Sequence, residues 1–328
     1  MKHFFSPFPF TFFAVLFTSA LTVSAGDISF YGLIKEQRLV QTNNAAPIPD
    51  TNAPFSLQCF VDSSGPDLIT DASIRLPGGA SRLLTRDGED EYSFQDVFST
   101  ASGLNGVYPA GNYTLTVDSE NDIFSTAPLS MPTAVFPNVP QITNYTSAQA
   151  VNPNNAFTFN WVAFAGGTTS DFIEFAVRGN AGNAVFRSAD LGQPNALNGT
   201  NTSIVIPGGT FFSGETYLAE LMFAKITTRD SSSIPGATGV VGFTTRTTFA
   251  MKTTGQAATV SLQVVGYSGG NFQFRFNSQP GKIYQLQFAD SLTNWQNLFY
   301  TNATATEVDF TDAFAGFNSN RFYRVMVP

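Results

Sequence analysis

Tyr108-Pro-Ala-Gly-Asn-Tyr113-Thr-Leu-Thr-Val117, Phe212-Ser-Gly-Glu-Thr-Tyr217-Leu-Ala-Glu-Leu221 and Gln279-Pro-Gly-Lys-Ile-Tyr284-Gln-Leu-Gln-Phe288 are three versions of one phrase. Each is a glycine-containing turn, then a Tyr, then a run with apolar residues two apart. Successive side chains of a strand point to opposite faces, so such a run is a half-buried strand entered from a tight corner. Three copies predict three β-domains in series.

Around the first copy, seven short runs read as strands: Ile28–Ile34, Phe55–Val61, Ala72–Leu76, Arg82–Arg86, Tyr92–Phe98, Asn112–Val117 and Ile123–Met131. Breakers separate them at Pro47, Pro49, Pro54, Ser63-Ser-Gly-Pro66, Pro77-Gly-Gly79, Asp87-Gly88 and Gly103 to Gly106. Seven short strands at this spacing predict a sandwich over 27–135. Pro132, Pro137 and Pro140 lead to a second unit, 138–254. There Phe157-Thr-Phe-Asn-Trp161 alternates, and Ser203-Ile-Val-Ile-Pro207 runs through a Gly-Gly turn towards Tyr217. Thr227 to Gly242 reads as a long loop, the expected place for a contact with a partner. A short third unit, 256–328, completes the chain. No helix of normal length is evident.

Composition narrows the class. Of 328 residues, 43% are apolar and only 12% charged, with 34 Phe, so disorder is excluded and pleated surfaces are favoured. Lys2, the apolar run Phe10 to Val23 and Val23-Ser24-Ala25 form a secretory signal, 1–25, cut after Ala25. No later stretch is long and apolar enough to span a bilayer. The net charge of −8, one unit more negative once Lys2 is removed, argues against nucleic acid and anionic membranes. His3 is the one histidine and leaves with the signal. Cys59 is the one cysteine and reads as a small buried hydrophobe. Catalysis through His, and zinc or copper sites, are thereby excluded. No cofactor motif is found, because none of the Gly-Gly pairs opens a helix that could cradle a phosphate.

An alternating strand ending at Trp161, a hydrophobic strand into a Pro-Gly turn, a strand starting at Tyr217 and a Thr-rich last strand resemble the fibronectin type III domain. The resemblance covers about a third of the chain. It implies an antiparallel two-sheet sandwich of fibronectin type III or immunoglobulin-like kind, with Trp161 in the core and Tyr217 at a tyrosine corner. Tyr284-Gln-Leu-Gln-Phe-Ala-Asp-Ser-Leu-Thr-Asn-Trp295, Asp309-Phe-Thr-Asp312 and Arg321-Phe-Tyr-Arg-Val325 resemble C-terminal modules of secreted bacterial multi-β-domain proteins of unassigned function. In this third unit the corner position is better matched by Tyr323 than by Tyr284. Phe322–Val327 then becomes a last strand whose edge is open for pairing.

Candidate sites are sparse. Asp87, Glu89 and Glu91 could ligate Ca²⁺, which needs clustered oxygens, although a solvated hairpin turn explains them as well. A second acidic turn, Asp118-Ser-Glu-Asn-Asp122, has the same two readings. Asp171 with Glu174, or Asp309 with Asp312, are the pairs a carboxylate glycosidase would use. Trp295 and Tyr300 lie on one short strand and could stack a sugar, with core packing as the alternative. No residue is assigned as catalytic. The sequence therefore predicts an all-β chain of tandem antiparallel sandwiches, secreted or extracytoplasmic, in a bacterial periplasm or at a cell surface. It predicts a non-catalytic structural or adhesion module that meets an extracellular protein or matrix. A glycan-binding accessory protein of a secreted carbohydrate system is the alternative.

Overall fold

The structure is a computed structural model and describes residues 26–133, 135–179, 182–257, 259–317 and 321–327. The expected signal peptide, 1–25, lies outside the described residues. The first segment contains β1 (Ile28–Val40), β2 (Ile48–Pro49), β3 (Phe55–Ser63), β4 (Ile69–Arg75), β5 (Ser81–Leu83), β6 (Thr85–Arg86), β7 (Glu91–Phe98), α1 (Ala101–Val107), β8 (Gly111–Ser119) and β9 (Ile123–Met131). The second contains α2 (Tyr145–Ala148), β10 (Phe157–Asn160), β11 (Phe172–Arg178), β12 (Ala184–Arg187), β13 (Ser203–Ile206), β14 (Thr216–Asp230) and β15 (Thr238–Lys252). The third contains β16 (Leu262–Ser268), β17 (Asn271–Asn277), β18 (Ile283–Ala289), β19 (Gln296–Asn302), β20 (Glu307–Asp312) and β21 (Phe322–Met326).

One nine-stranded sheet runs through the first two segments in the order β12-β11-β14-β15-β1-β3-β7-β6, with β2 on β1. At its centre β1 lies parallel to β15, in register from Phe30 opposite Thr238 to Val40 opposite Thr248. The other strand pairs among the described residues are antiparallel. Two smaller sheets pack on the same face of this large one. The sheet β5-β4-β8-β9 closes the first core, where Leu33, Cys59 and Val61 meet Tyr113, Leu115 and Val117. The pair β10-β13 closes the second, where Phe159, Trp161 and Ile206 meet Phe175, Leu221 and Phe249. Thr245 and Thr247 of β15 lie between the cores. Their hydroxyls donate to the carbonyls of Pro137 and Pro140 at 2.9 and 2.6 Å, fixing the proline-marked passage against the sheet.

The opposite face of the sheet is apolar at one end and ionic at the other. Phe30, Ile34, Phe60, Phe172, Met222 and Val240 form a third cluster. Beside it Arg246 reaches Glu36 of β1 at 2.7 Å and Glu220 of β14 at 2.9 Å. Burial works against the Arg246 charge, but Glu36, Glu220 and Glu174 outweigh it and hold the guanidinium protonated. The charged run Lys35-Glu36-Gln37-Arg38 therefore stays in strand instead of ending it at Ile34. Glu36 finds Arg246, and Lys35 donates to Asn105 Oδ1 and the Tyr108 carbonyl at 2.7 and 2.6 Å.

All three repeated phrases form a corner closed by the Tyr hydroxyl, the first by donating and the other two by accepting. Tyr113 Oη donates to the Pro109 carbonyl at 2.7 Å. Tyr217 Oη accepts from Phe212 N, and Tyr284 Oη from Gln279 N, each at 2.8 Å. The corner of the third unit is thus Tyr284, correcting the expectation of Tyr323, whose hydroxyl donates instead to Asp312. Two further expectations are corrected. Thr227 to Gly242 is mostly strand: β14 and β15 form a hairpin that adds Ile234 and Ala237 of its tip, with Val241 and Phe243 of β15, to the first core. Gly103 to Gly106 lies in α1, which Thr100 caps by accepting from Gly103 N while Leu104 plugs the core.

In the third segment β16-β17-β20 faces β19-β18-β21, with Phe276 packed on Tyr284 and Phe274 on Tyr323. Among the described residues β21 pairs with β18 alone, so its other edge is open. Lys282 ties this segment to the second by a 2.6 Å ion pair with Glu215 and by lying over the Phe212 ring. The fold is all-β, built of sandwiched and mainly antiparallel sheets, with one sheet common to the first two units.

Candidate binding face of the C-terminal segment

The Tyr284 corner launches β18 as the middle strand of its sheet, and alternation then decides what it shows outside. Tyr284 and Leu286 go into the core; Gln285 and Gln287 point away from it. On β21, Tyr323 packs inward and Arg324 outward, where its Nε donates to Gln287 Oε1 at 2.8 Å. On β19, Phe299 packs on Phe310 of the other sheet, so Tyr300 faces out and is 56% exposed.

Strict alternation would place Trp295, five residues before Tyr300, on the opposite face. A β-bulge prevents this. Leu286 pairs with Phe299 and Gln287 with Asn297, leaving Leu298 as the extra residue. The extra residue reverses the alternation, so Asn297 and Trp295 share the face of Tyr300. Asn297 Oδ1 accepts from the side-chain amides of Gln285 and Gln287. The Arg324 guanidinium lies 4.2 Å above the Trp295 ring, and the indole N–H donates to the Leu292 carbonyl at 3.2 Å. The result is a strip of Trp295, Arg324, Gln287, Asn297, Gln285 and Tyr300. Tyr300 offers an open ring, whereas one face of Trp295 is covered by Arg324. Uncharged amides, one cation and aromatic rings can hydrogen-bond and stack with a neutral polar ligand.

The other expected site residues are placed differently. Asp87 and Glu89 are exposed on the turn before β7, but Glu91 is buried and lies opposite Asp62. Burial first, then neighbouring carboxylates, push Asp62 up to about 9 and Glu91 up to about 8. The second acidic turn is a clamp: Asp27 accepts from Asn121 and Asp122, and Asp122 accepts from Asp27 N. Each carboxylate of the two glycosidase pairs is bound to its own cation. Asp171 meets Lys225 at 2.8 Å, Glu174 meets Arg187 at 3.2 Å, Asp309 meets Arg275 at 2.6 Å and Asp312 meets Arg321 at 3.0 Å. Among the described residues no three His, Cys, Asp or Glu side chains gather as a metal centre, and no helix is long and apolar enough to cross a membrane. The hollow on the large sheet is about 20 Å³ and apolar, far below the ~300 Å³ of a small-molecule site.

No protein-family profile matches the chain, and no curated protein matches it. Solved structures that the chain matches include a tetra-tandem repeat from the extending region of a large adhesion protein. It is 11% identical over 90% of this chain and 73% of that one, with a TM-score of 0.26. The FN1–FN3 domains of chicken CNTN1 are 10% identical over 90% and 92%, at 0.19. A structure addressing host cell surface retention of a 1.5-MDa bacterial ice-binding adhesin is 13% identical over 81% and 82%, at 0.20. Scores this low leave the role of this chain to be argued from its own residues.

Proposed function

We propose that this chain is a non-catalytic secreted or cell-surface adhesion module that carries load between protein or matrix contacts. Its parts are a signal peptide (1–25), a first sandwich (27–135), a fibronectin type III-like sandwich (138–254) and a short C-terminal module (256–328). The observation behind this reading is the parallel β1–β15 ladder. The chain enters the ladder at the Ile28 end of β1 and leaves at the Lys252 end of β15, the opposite end. Tension applied at the Ile28 end of β1 and at the Lys252 end of β15 therefore pulls the two strands along their axes in opposite directions. Eleven register pairs then resist together rather than opening one at a time. Pulling single molecules in two directions tests this. Handles at residues 26 and 252 shear the ladder; handles at residues 40 and 252 peel it. The shear geometry is expected to need several-fold more force, and equal forces would contradict the load-bearing reading.

The strip of Trp295, Arg324, Gln287, Asn297, Gln285 and Tyr300 favours a second reading, a glycan-binding accessory protein. A glycan array should then return hits that Tyr300→Ala abolishes. An array without hits removes this reading and leaves the first intact.

A further inference from the structure

The register of β3 and β7 sets Asp62 directly opposite Glu91. Val61 of β3 belongs to the first core and Tyr92 of β7 packs against it, so alternation turns Asp62 and Glu91 to the other face of the sheet. Asp62 is 6% exposed and Glu91 8%, so each is more than nine-tenths buried. Both carboxylate oxygens of Asp62 and Oε1 of Glu91 have no hydrogen-bond partner. Every other buried acidic residue among the described residues has one, and the further unbonded carboxylate oxygen, Asp190 Oδ1, lies 3.2 Å from the Arg187 guanidinium. Asp27 is held by Asn121, Glu36 and Glu220 by Arg246, Asp171 by Lys225, Glu174 by Arg187 and Asp312 by Tyr323. Three orphaned acceptors on two adjacent side chains are therefore a local exception that needs a cause.

Nothing among the described residues supplies one. From the turn, Asp90 and Asp87 add negative charge. From β1, Phe30 stands beside Asp62, and the Ser29 hydroxyl is turned to the carbonyls of Asp62 and Ser63. Arg86, the nearest cation in sequence, is turned to Asp67 and to the carbonyls of Gly88 and Glu89. A proton shared by the pair would make a hydrogen bond between the two carboxyls, and none is present.

We infer that Asp62 and Glu91 together ligate a hard divalent cation, with Ca²⁺ the ion their oxygens suit best. Carboxylate oxygens prefer Ca²⁺ or Mg²⁺, whereas zinc and copper want the imidazole and thiolate this pair lacks. Ca²⁺ tolerates an irregular shell of six to eight oxygens, while Mg²⁺ requires a near-ideal octahedron. Two side chains fill only part of such a shell, so water must complete it. Affinity should then fall in the ~10⁻⁴–10⁻³ M range typical of extracellular modules. Asp87 and Glu89 add long-range charge but are not ligands.

The test is thermal unfolding of the full chain, freed of residues 1–25, in EDTA and across a CaCl₂ series, with MgCl₂ in parallel. A saturable rise in Tm with CaCl₂, smaller with MgCl₂, is expected. Asp62→Asn and Glu91→Gln each remove one ligand and keep the shape of the side chain. Each should lose the Ca²⁺ response, whereas Asp87→Asn with Glu89→Gln should retain it. Equal wild-type Tm in EDTA and CaCl₂ would overturn the inference, as would a Ca²⁺ response surviving in Asp62→Asn. Equilibrium dialysis against ⁴⁵Ca²⁺ gives the same decision without reference to folding: more than one-half ion bound per chain at 2 mM supports the site, and none bound refutes it.

Discussion

At the scale of single residues, charge partners far apart in sequence hold the first two units together. Arg246 is buried between Glu36 and Glu220, 210 and 26 residues away. Removing one partner of a buried ion cluster leaves uncompensated charge and costs about 3–5 kcal/mol. Arg246→Met should therefore lower stability by about that much in urea titration. Arg246→Met with Glu36→Gln and Glu220→Gln should recover most of it. Asp230 makes a second long-range link, accepting from the Tyr31 hydroxyl at 2.9 Å. Burial would raise its pKa, but hydrogen bonds from Ser233, Ser232 and Tyr31 outweigh this and hold it well below the usual carboxylate range. A carboxylate held low stabilises the fold above its unfolded pKa of about 4 and loses that contribution as the pH falls below it. The Tm difference between wild type and Asp230→Asn should thus be full at pH 6 and shrink progressively as the pH falls below about 4, with part of it still present at pH 2. None of these partners could be paired from the sequence, because a Glu at position 36 carries no local mark of an Arg at 246. Asp62 escaped for the same reason: only strand register sets it against Glu91.

At the scale of elements, the glycine turn with its Tyr was the most legible feature. A glycine two or three residues before the Tyr marks all three corners: Gly111, Gly214 and Gly281. Tyr323 lacks that glycine, which is the signal that should have ruled it out. Strand positions were also legible from alternation, and Ile123–Met131 was found at both ends. Strand lengths at the junction were not. Ser231-Ser-Ser-Ile-Pro-Gly236 is dense in turn-forming residues and hid the flanking strands, whose partner β1 lies some two hundred residues upstream. Tyr300 lies on β19, Trp295 stands just before it, and their common face depends on the Leu298 bulge, which alternation cannot forecast. Gly239 shows how tight the junction is. A Cβ there would overlap the ring of Tyr31, its parallel partner. Ala normally gains about 0.5–1 kcal/mol over Gly inside a strand. Overpacking costs about 1–3 kcal/mol and should win. Gly239→Ala is therefore expected to destabilise, measured as a lower urea midpoint at unchanged slope.

At the scale of the whole molecule, the chain departs from beads on a string. A string of sandwiches closes each core with its own two sheets. Here β15 forms a wall of both cores, and the hairpin completes the first core with residues from the second unit. The first unit therefore depends on Ile234, Ala237, Val241 and Phe243, and the two should unfold as one. The C-terminal module, joined through Lys282, Glu215 and Phe212, has its own core around Phe276, Tyr284 and Ala303 and should unfold separately. The shared sheet also sets the direction in which load is resisted, the basis of the adhesion reading. Hydrogen exchange followed by mass spectrometry across a urea series tests the shared sheet most directly. Peptides from residues 28–131 and from residues 142–252 should open with a single common midpoint, with β1 and β15 among the best-protected segments. Two separate midpoints for those regions, with β1 exchanging freely while β15 stays protected, would contradict it.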